Sequence, residues 1–333
     1  MGIDVERLAP DDADRWDSLV ERSSQSSPFH LSGCLSALAD HSGGRLHRLI
    51  GYKGQEPVGL FPVFELSKGP FGGAFSPPPD LKVPYLGPIL VNHGKLKQRK
   101  AERRHRRFIE GCLDYIEGQI GSRYTQVRST DRYGDTRPFY WNDFEVTPLY
   151  SYVVDLTRGA DDLLAAFSRD ARQNITGEYD GYEISEGDAD DAARILRDVK
   201  ARHDEQREPY KVTPALGRTL YRSLPEGTVR PYVCRIDGEY RSGMLALELG
   251  DTVYRWQGGA KTDADIPIND LVDWRIMTDA IDRGIDRYDL VGAWTPRLCE
   301  YKAKFAPDLV TYSEIRKTGL GMDAAAKAYM YLR

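Results

Sequence analysis

Cysteine is scarce in this 333-residue chain. The four, Cys34, Cys112, Cys234 and Cys299, lie far apart, so neither a disulfide framework nor paired CxxC metal ligands are indicated. The six histidines include no H-x-x-x-H or H-E-x-x-H pair, which leaves a catalytic metal without support. No apolar run approaches the roughly 18–20 residues that span a bilayer. The first residues, MGIDVERLAPDDADRW, are acidic and lack a signal peptide's apolar core. Gly2 is followed by Ile-Asp-Val-Glu, without the hydroxyl residue of a myristoylation site. A reducing cytoplasm is therefore the expected location. Also missing are the G-x-S-x-G nucleophile elbow, the P-loop, and a G-x-G-x-x-G turn after a strand. Asn174-Ile175-Thr176 fits a glycosylation sequon but falls in a helical segment and reads as incidental.

Lys and Arg total 46 against 51 Asp and Glu, a net charge of -5 that argues against a general nucleic-acid binder. The positive charge is unevenly spread. Residues 95–107, KLKQRKAERRHRR, carry eight Lys or Arg with one Glu. On a helix, Arg99, Arg103, Arg106 and Arg107 share a face, which is either a solvated surface or a contact for tRNA phosphates or anionic lipid. No aromatic residues are interleaved, so base stacking is not indicated there.

The chain reads as two halves. In the first, residues 12–22 and 31–39 have helical spacing, and residues 46–66 form two strands around a turn at Lys53-Gly54-Gln55. Residues 69–88 hold six Pro and four Gly and read as a long loop of the kind that often carries function. Residues 99–117 are helical with a stop at Gly118, and residues 123–129 and 150–156 are strands. In the second half, residues 157–175 read as one helix, 178–187 as a strand and 189–206 as a helix. Three strands follow over 229–260, then a helix over 267–284 ended by Gly284, and strands at 287–292 and 309–315. The hairpin LHRLIGYKGQEPVGLFPVFEL is matched by PYVCRIDGEYRSGMLALELGD, with Gly59 and Gly243 at the second strand of each, so an internal repeat is expected.

The helix beginning Pro267-Ile268-Asn269-Asp270-Leu271-Val272-Asp273-Trp274, the strand Tyr288-Asp289-Leu290-Val291-Gly292, and then Tyr301-Lys302-Ala303-Lys304-Phe305-Ala306 come in a telling order. This order resembles the FemA/FemB/FemX-like proteins, which are peptidoglycan-bridge aminoacyltransferases and their relatives. There the strand reads Tyr-Asp-Phe-Gly-Gly and a Phe-Lys-x-x-Phe-Gly motif follows. Val291 and Ala306 depart from the pattern, each standing where the family has Gly. YSYVVDLTRGADDLLAAFSRDARQNI, with Arg172 late in its helix, resembles the family's entry into its second domain. SPFHLSGCLSAL and SPPPDLKVPYLGPIL resemble segments around its first hairpin, so the likeness touches most of the chain. It is nearest to archaeal and bacterial members outside the cell-wall enzymes.

The resemblance implies an α+β protein of two GNAT-like domains, residues 1–149 and 150–333, each a mixed central sheet flanked by helices. It also implies acyl transfer to an amine. The donor, an aminoacyl-tRNA or an acyl-CoA acting as substrate with no separate cofactor, lies where two central strands splay apart. Chemistry then rests on positioning and oxyanion stabilisation, without a covalent enzyme intermediate. The usual CoA loop, Gln/Arg-x-x-Gly-x-Gly/Ala, is not found at a strand-to-helix junction. Lys302 aligns with the family Lys and would stabilise the oxyanion or bind donor phosphate; otherwise it is a solvated lysine like Lys304. Arg207 and Tyr210 align with a segment that faces the acceptor; otherwise they are a helix-end charge and a half-buried ring. Tyr254 and Trp256 alternate on one strand and line either a substrate groove or the core.

Three readings compete: an aminoacyltransferase, an acyl-CoA-dependent N-acyltransferase, and a non-catalytic module. In the third, Arg103, Arg106 and Arg107 dock on RNA or the periphery of a membrane. A lipid-linked amine is among the acceptors left open.

Overall fold

The computed structural model describes residues 2–68, 71–259 and 264–319. The chain forms two compact units, residues 1–149 with 311–333, and residues 150–310.

The first unit opens with β1 (Asp4–Arg7), α1 (Ala13–Glu21) and α2 (Ser32–Ser42). The expected hairpin follows as β2 (Arg45–Lys53) and β3 (Glu56–Lys68). Then come β4 (Phe71–Ser76), β5 (Ile89–Leu90), α3 (Gln98–Tyr115), β6 (Tyr124–Arg128) and α4 (Arg137–Tyr140). β7 (Glu145–Asp155) leads into the second unit, where α5 (Ala160–Ala166), α6 (Arg169–Thr176), β8 (Tyr182–Glu186), α7 (Ala189–Glu205) and α8 (Pro214–Ser223) precede the second hairpin. That hairpin is β9 (Val229–Ile236) and β10 (Glu239–Leu249), followed by β11 (Thr252–Gly258), α9 (Ile268–Asp282), β12 (Arg287–Asp289) and α10 (Pro296–Ala303). β13 (Asp308–Thr318) closes the described chain.

The two units follow the same course. In the first, the strands lie in the order β1-β2-β3-β4-β6-β13, antiparallel except for the parallel β4–β6 pair. In the second, the order β8-β9-β10-β11-β12-β7 repeats this, and its one parallel pair is β11–β12. A parallel neighbour needs a crossover helix, and α3 and α9 supply it. α3 buries Phe108, Ile109 and Cys112 with Phe61, Val63 and Val127 of its sheet. α9 buries Val272, Ile276 and Met277 with Tyr232, Met244 and Val253. The fold class and the repeat are thus as the sequence leads one to expect.

The details differ in physical ways. β13 was expected in the second domain, but residues 314–318 pair with β6 and complete the first sheet. A short alternating strand encodes which side is apolar, not which edge it joins. Residues 71–76 of the Pro/Gly-rich segment form β4 despite Gly72 and Gly73, because β3 and β6 supply its backbone partners. The helix expected over 157–175 is broken: Phe167 is extended and the Ser168 hydroxyl accepts from Ala171 N–H to start α6. α3 passes through a π turn and stops at Gly121, not Gly118.

Gly59 and Gly243, matched in sequence, are offset by one position in structure. The first hairpin turns on Gly54-Gln55, the second on Asp237-Gly238. With a period of two, one residue of offset points them at opposite faces. A Cβ on Gly59 would lie 2.6 Å from Phe108 of α3, whereas one on Gly243 would lie 2.6 Å from Ile195 of α7.

Candidate active site

β11 and β12 run side by side for three pairs, Thr252–Arg287, Val253–Tyr288 and Tyr254–Asp289, and then part. β11 continues along β10 to Gly258, with a bulge that leaves Trp256 as the extra residue. Beyond β12 the chain bends the other way: Leu290 N–H donates to Tyr152 O at 2.8 Å and Ala293 N–H to Tyr150 O at 2.9 Å. Among the described residues, no strand lies along β11 over 255–258 on the side that β12 has left. The result is a gap at the C-terminal ends of two parallel strands, the end at which ligands collect in α/β sheets.

Lys302 sits at this gap. It is 4 % exposed, and its Nζ donates to Val291 O (2.7 Å) and Gly292 O (2.6 Å) where the chain leaves β12. It is therefore not a surface lysine. Burial, with Arg255 nearby, lowers its pKa to about 8, against the pull of Asp289 and Asp273, so the ammonium stays mostly charged at neutral pH. Asp289 fixes the same turn: its carboxylate accepts from the Ser151 hydroxyl and Val291 N–H, both at 2.7 Å, and Ser151 Oγ accepts from Gly292 N–H at 2.8 Å.

Val291 (φ +56°) and Ala306 (φ +48°), which stand where the family has Gly, both adopt left-handed backbone. Both residues thus hold a conformation that glycine adopts freely, at a steric cost, greatest at β-branched Val291.

Behind Lys302 lies a buried hub that sequence reading missed. Asp273, fully buried on α9, accepts from Arg255 Nε (2.7 Å), Tyr288 OH (2.6 Å) and Tyr301 OH (2.6 Å). Burial works against the Arg255 charge, and Asp273 outweighs it, holding the guanidinium above its ordinary pKa. Asp270, one turn earlier, accepts from Asn174 Nδ2 at 2.7 Å and from Lys304 Nζ. Lys304 also lies 4.0 Å from the Tyr301 ring centre, so it too is anchored rather than solvated. A cavity of about 210 Å³ opens beside this cluster, lined in part by Pro267, Asn269, Asp270 and Tyr301. The signals in the sequence are weak: Arg255 sits between Tyr254 and Trp256 on β11, and Asp273 belongs to the motif helix.

The other expected site residues divide. Tyr210 reaches β11, its hydroxyl donating to Gln257 Oε1 at 2.7 Å while its ring stacks on His203 at 4.6 Å. Arg207 is exposed just past α7. Tyr254 and Trp256 are 5 % and 4 % exposed and belong to the packing beneath the gap rather than to an open lining. Arg103 and Arg106 lie on the outer face of α3, Arg106 3.5 Å from Glu110, while Arg107 is half-buried beside a cavity with Glu110 and Asp114. No described helix is long and apolar enough to cross a membrane.

The corresponding gap in the first unit is filled. β4 and β6 part after Ser76–Val127, and residues 77–88 leave the sheet before β5 resumes beside β3 at Gly59 and Leu60. This excursion folds back into the opening: Leu86 N–H donates to Arg128 O at 2.9 Å and Gly87 N–H to Ser76 Oγ at 3.0 Å. His30 Nδ1 accepts from Ser27 N–H, which leaves Nε2 to donate to Gly87 O at 3.3 Å. Burial lowers this His to about 4 and keeps it neutral. The Pro-rich loop is thus a buried plug, with Tyr85 and Leu86 fully enclosed.

Residues 164–303 match the acetyltransferase (GNAT) domain family. No curated protein sequence matches the chain significantly. Among solved structures it is similar to FemX, at 11% identity and a TM-score of 0.71, over 93% of this chain and 96% of FemX. It is also similar to the C-terminal domain of a putative lysylphosphatidylglycerol synthetase from Agrobacterium fabrum (16% identity, TM-score 0.56, 96% and 95% covered). A tandem GNAT protein from the clavulanic acid biosynthesis pathway is a further match (11% identity, TM-score 0.53, 94% and 97% covered). The chain has a tandem GNAT fold, similar to that of FemX.

Proposed function

We propose that this protein transfers an aminoacyl group to an amine in the gap between β11 and β12. The observation that carries the reading is the buried ammonium of Lys302, fixed where the two strands part. The donor carbonyl lies in the gap. The acceptor amine attacks it, a C–N bond forms, and the carbonyl oxygen becomes an oxyanion. Two N–H groups of Lys302 are held by Val291 O and Gly292 O, which leaves the third for that oxyanion. The tetrahedral intermediate collapses by breaking the bond to the ribose oxygen of the donor, which takes up the proton released by the amine. Asp273, Tyr301 and Tyr288 position the wall behind Lys302 and exchange no proton with substrate. The likeness to FemX and to a lysylphosphatidylglycerol synthetase domain supports an aminoacyl donor. The match to an acetyltransferase domain supports a second reading, an acyl-CoA donor.

A panel of charged tRNAs and acyl-CoAs, offered with cell extract as the source of acceptor amines, tests this. Radiolabel moving from a charged tRNA into an amide is the expected result, and label moving only from acyl-CoA would establish the second reading. No transfer from any donor would overturn both.

A further inference from the structure

In the first unit, the run Arg137-Pro138-Phe139-Tyr140-Trp141 builds the one-turn helix α4 and the residue that ends it. Phe139 points inward: it is fully buried, edge-on to Phe61 at 6.3 Å and to Phe144 at 5.5 Å. Successive side chains on a helix point about 100° apart, so one turn cannot bury three aromatics in a row. Tyr140 and Trp141 are left outside, 69 % and 54 % exposed. The turn that carries them is fixed. Trp141 N–H donates to Arg137 O at 2.9 Å, Asn142 Nδ2 to Pro138 O at 2.7 Å, and Lys317 Nζ to Asn142 O at 3.0 Å. Arg137 ties this turn to the basic helix α3. Its guanidinium lies 5.6 Å from the Trp141 ring centre, 3.1 Å from Glu102 of α3 and 2.8 Å from Asp135. Arg99 and Arg106, three residues before Glu102 and four after it, stand on the same side of α3 as that contact, and both are exposed. Arg103 is exposed beside them, and Arg106 lies 3.5 Å from Glu110. Arg137 thus answers the carboxylates of Glu102 and Asp135, Arg106 answers that of Glu110, and Arg99 and Arg103 give the surface its sign.

Trp and Tyr rings settle at the headgroup layer of a bilayer, where the ring is sheltered and its polar tip stays wet. Arginines beside them are drawn to anionic headgroups. We propose that α4 and the adjoining side of α3 form a docking surface for an anionic membrane, with Tyr140 and Trp141 entering the headgroup layer and Arg99, Arg103 and Arg106 meeting lipid phosphates. Single-stranded RNA suits the surface less well. Base stacking needs open ring faces, and the Arg137 guanidinium stands over the Trp141 ring. Neither the ring pair nor the charge holds a protein to a membrane alone, and the two together give reversible binding. The surface lies in the first unit and takes no part in the gap between β11 and β12, so the proposal goes beyond the acyl-transfer reading and does not depend on it.

The test is co-sedimentation of the full chain with phosphatidylcholine vesicles that contain or lack phosphatidylglycerol, over a range of salt. The wild type should bind the anionic vesicles, release them as salt rises, and bind the neutral ones at least about tenfold more weakly. Trp141→Ala should weaken anionic binding about tenfold, from the lost burial of its ring, and Trp141→Phe should keep part of it. The pair Arg99→Gln and Arg106→Gln should weaken it about twentyfold, about fivefold for each charge, and flatten the salt dependence. These side chains are exposed, so an unchanged Tm should accompany each loss. Lipids brominated near the headgroup should quench the fluorescence of the wild type more than that of Trp141→Phe. No binding to either vesicle, equal binding to both, or anionic binding that Trp141→Ala leaves unchanged overturns the proposal. An RNA hairpin that binds in place of vesicles and is weakened by the same variants would replace lipid as the partner and overturn it too. So would a dimer in solution that Trp141→Ala dissociates, since the rings would then belong to a contact with a second copy.

Discussion

The two units share one strand order and differ most at one place, the point where two parallel strands part. In the second unit β11 passes that point with a single bulged residue, Trp256, and no strand among the described residues lies on the side that β12 has left. In the first unit the same point is an excursion of residues 77–88, which turns back and hydrogen-bonds into the opening. The lesson is that the splay belongs to the fold, while its use depends on what fills it. Parting strands expose backbone donors and acceptors that must find partners. The first unit satisfies them with its own chain and gains stability. The second satisfies the Val291 and Gly292 carbonyls with the side chain of a buried lysine, Lys302, instead of a returning strand.

Breaking the open gap should have the largest effect. Lys302→Met is expected to lower kcat by about 10²–10³, the usual cost of losing one oxyanion donor. It should also cost about 2 kcal/mol of stability, because the Val291 and Gly292 carbonyls lose their partner. Lys302→Arg should recover little, since a planar guanidinium does not fit a site shaped for an ammonium. With a pKa near 8 in the folded protein and an ordinary lysine value when unfolded, Lys302 is charged in both states below pH 8. The penalty for its burial is full there. Above pH 8 the unfolded chain binds the extra proton, so stability from this group rises with pH up to the ordinary value. Activity that needs the cation should fall over the same range. Denaturant melts and kcat from pH 7 to 10 check both, and Lys302→Met should lose the upward stability slope. Full activity in Lys302→Met would end the catalytic role.

Breaking the plug should do the reverse, harming stability and sparing activity. Gly87 has φ +75°, and a Cβ there would lie 3.1 Å from Arg128 O. Gly87→Ala should cost about 2 kcal/mol in a urea melt and leave kcat/KM unchanged. A matching loss of activity would show that the first unit's gap is not simply filled. A smaller effect, of opposite sign, is expected at Ala306. Replacing it by Gly relieves a left-handed alanine at φ +48° and should raise stability by up to about 1 kcal/mol, read from the midpoint of the same melt. The smallest change in stability concerns α3. Neutralising Arg103, Arg106 and Arg107 together should shift folding by about 0.5 kcal/mol or less, because such charges are largely solvated. It should still weaken binding of charged tRNA or anionic vesicles and flatten the salt slope; unchanged affinity and slope would make α3 an ordinary solvated face.

Much of the architecture was legible because local patterns carry it. The spacing of Phe108, Ile109 and Cys112, or of Val272, Ile276 and Met277, marks a helix face whatever it packs on. The Asp237-Gly238 turn and the stop at Gly284 are written in φ preferences. The motif from Pro267 to Ala306 located the gap in the second unit. Hidden from view were relations between distant segments. Nothing near Asp273 announces that Arg255, Tyr288 and Tyr301 converge on it, because burial brings them together from four separate elements. Lys302 and Lys304 look alike in sequence, yet one caps a strand exit and the other pairs with Asp270.

By itself, the sequence determined most of the elements, the repeat, and the motif that carries Lys302, since periodicity, turn chemistry and a short motif are read one neighbour at a time. Only the tertiary structure decided which gap the described chain fills. The proline-rich segment at 77–88 and the bulge at Trp256 occupy equivalent places, and whether a chain fills an opening depends on partners distant in sequence, Arg128 for the plug and Asp289 for the parted strand. Backbone groups freed by a splay must be satisfied by something, and that something is chosen in space, not along the chain.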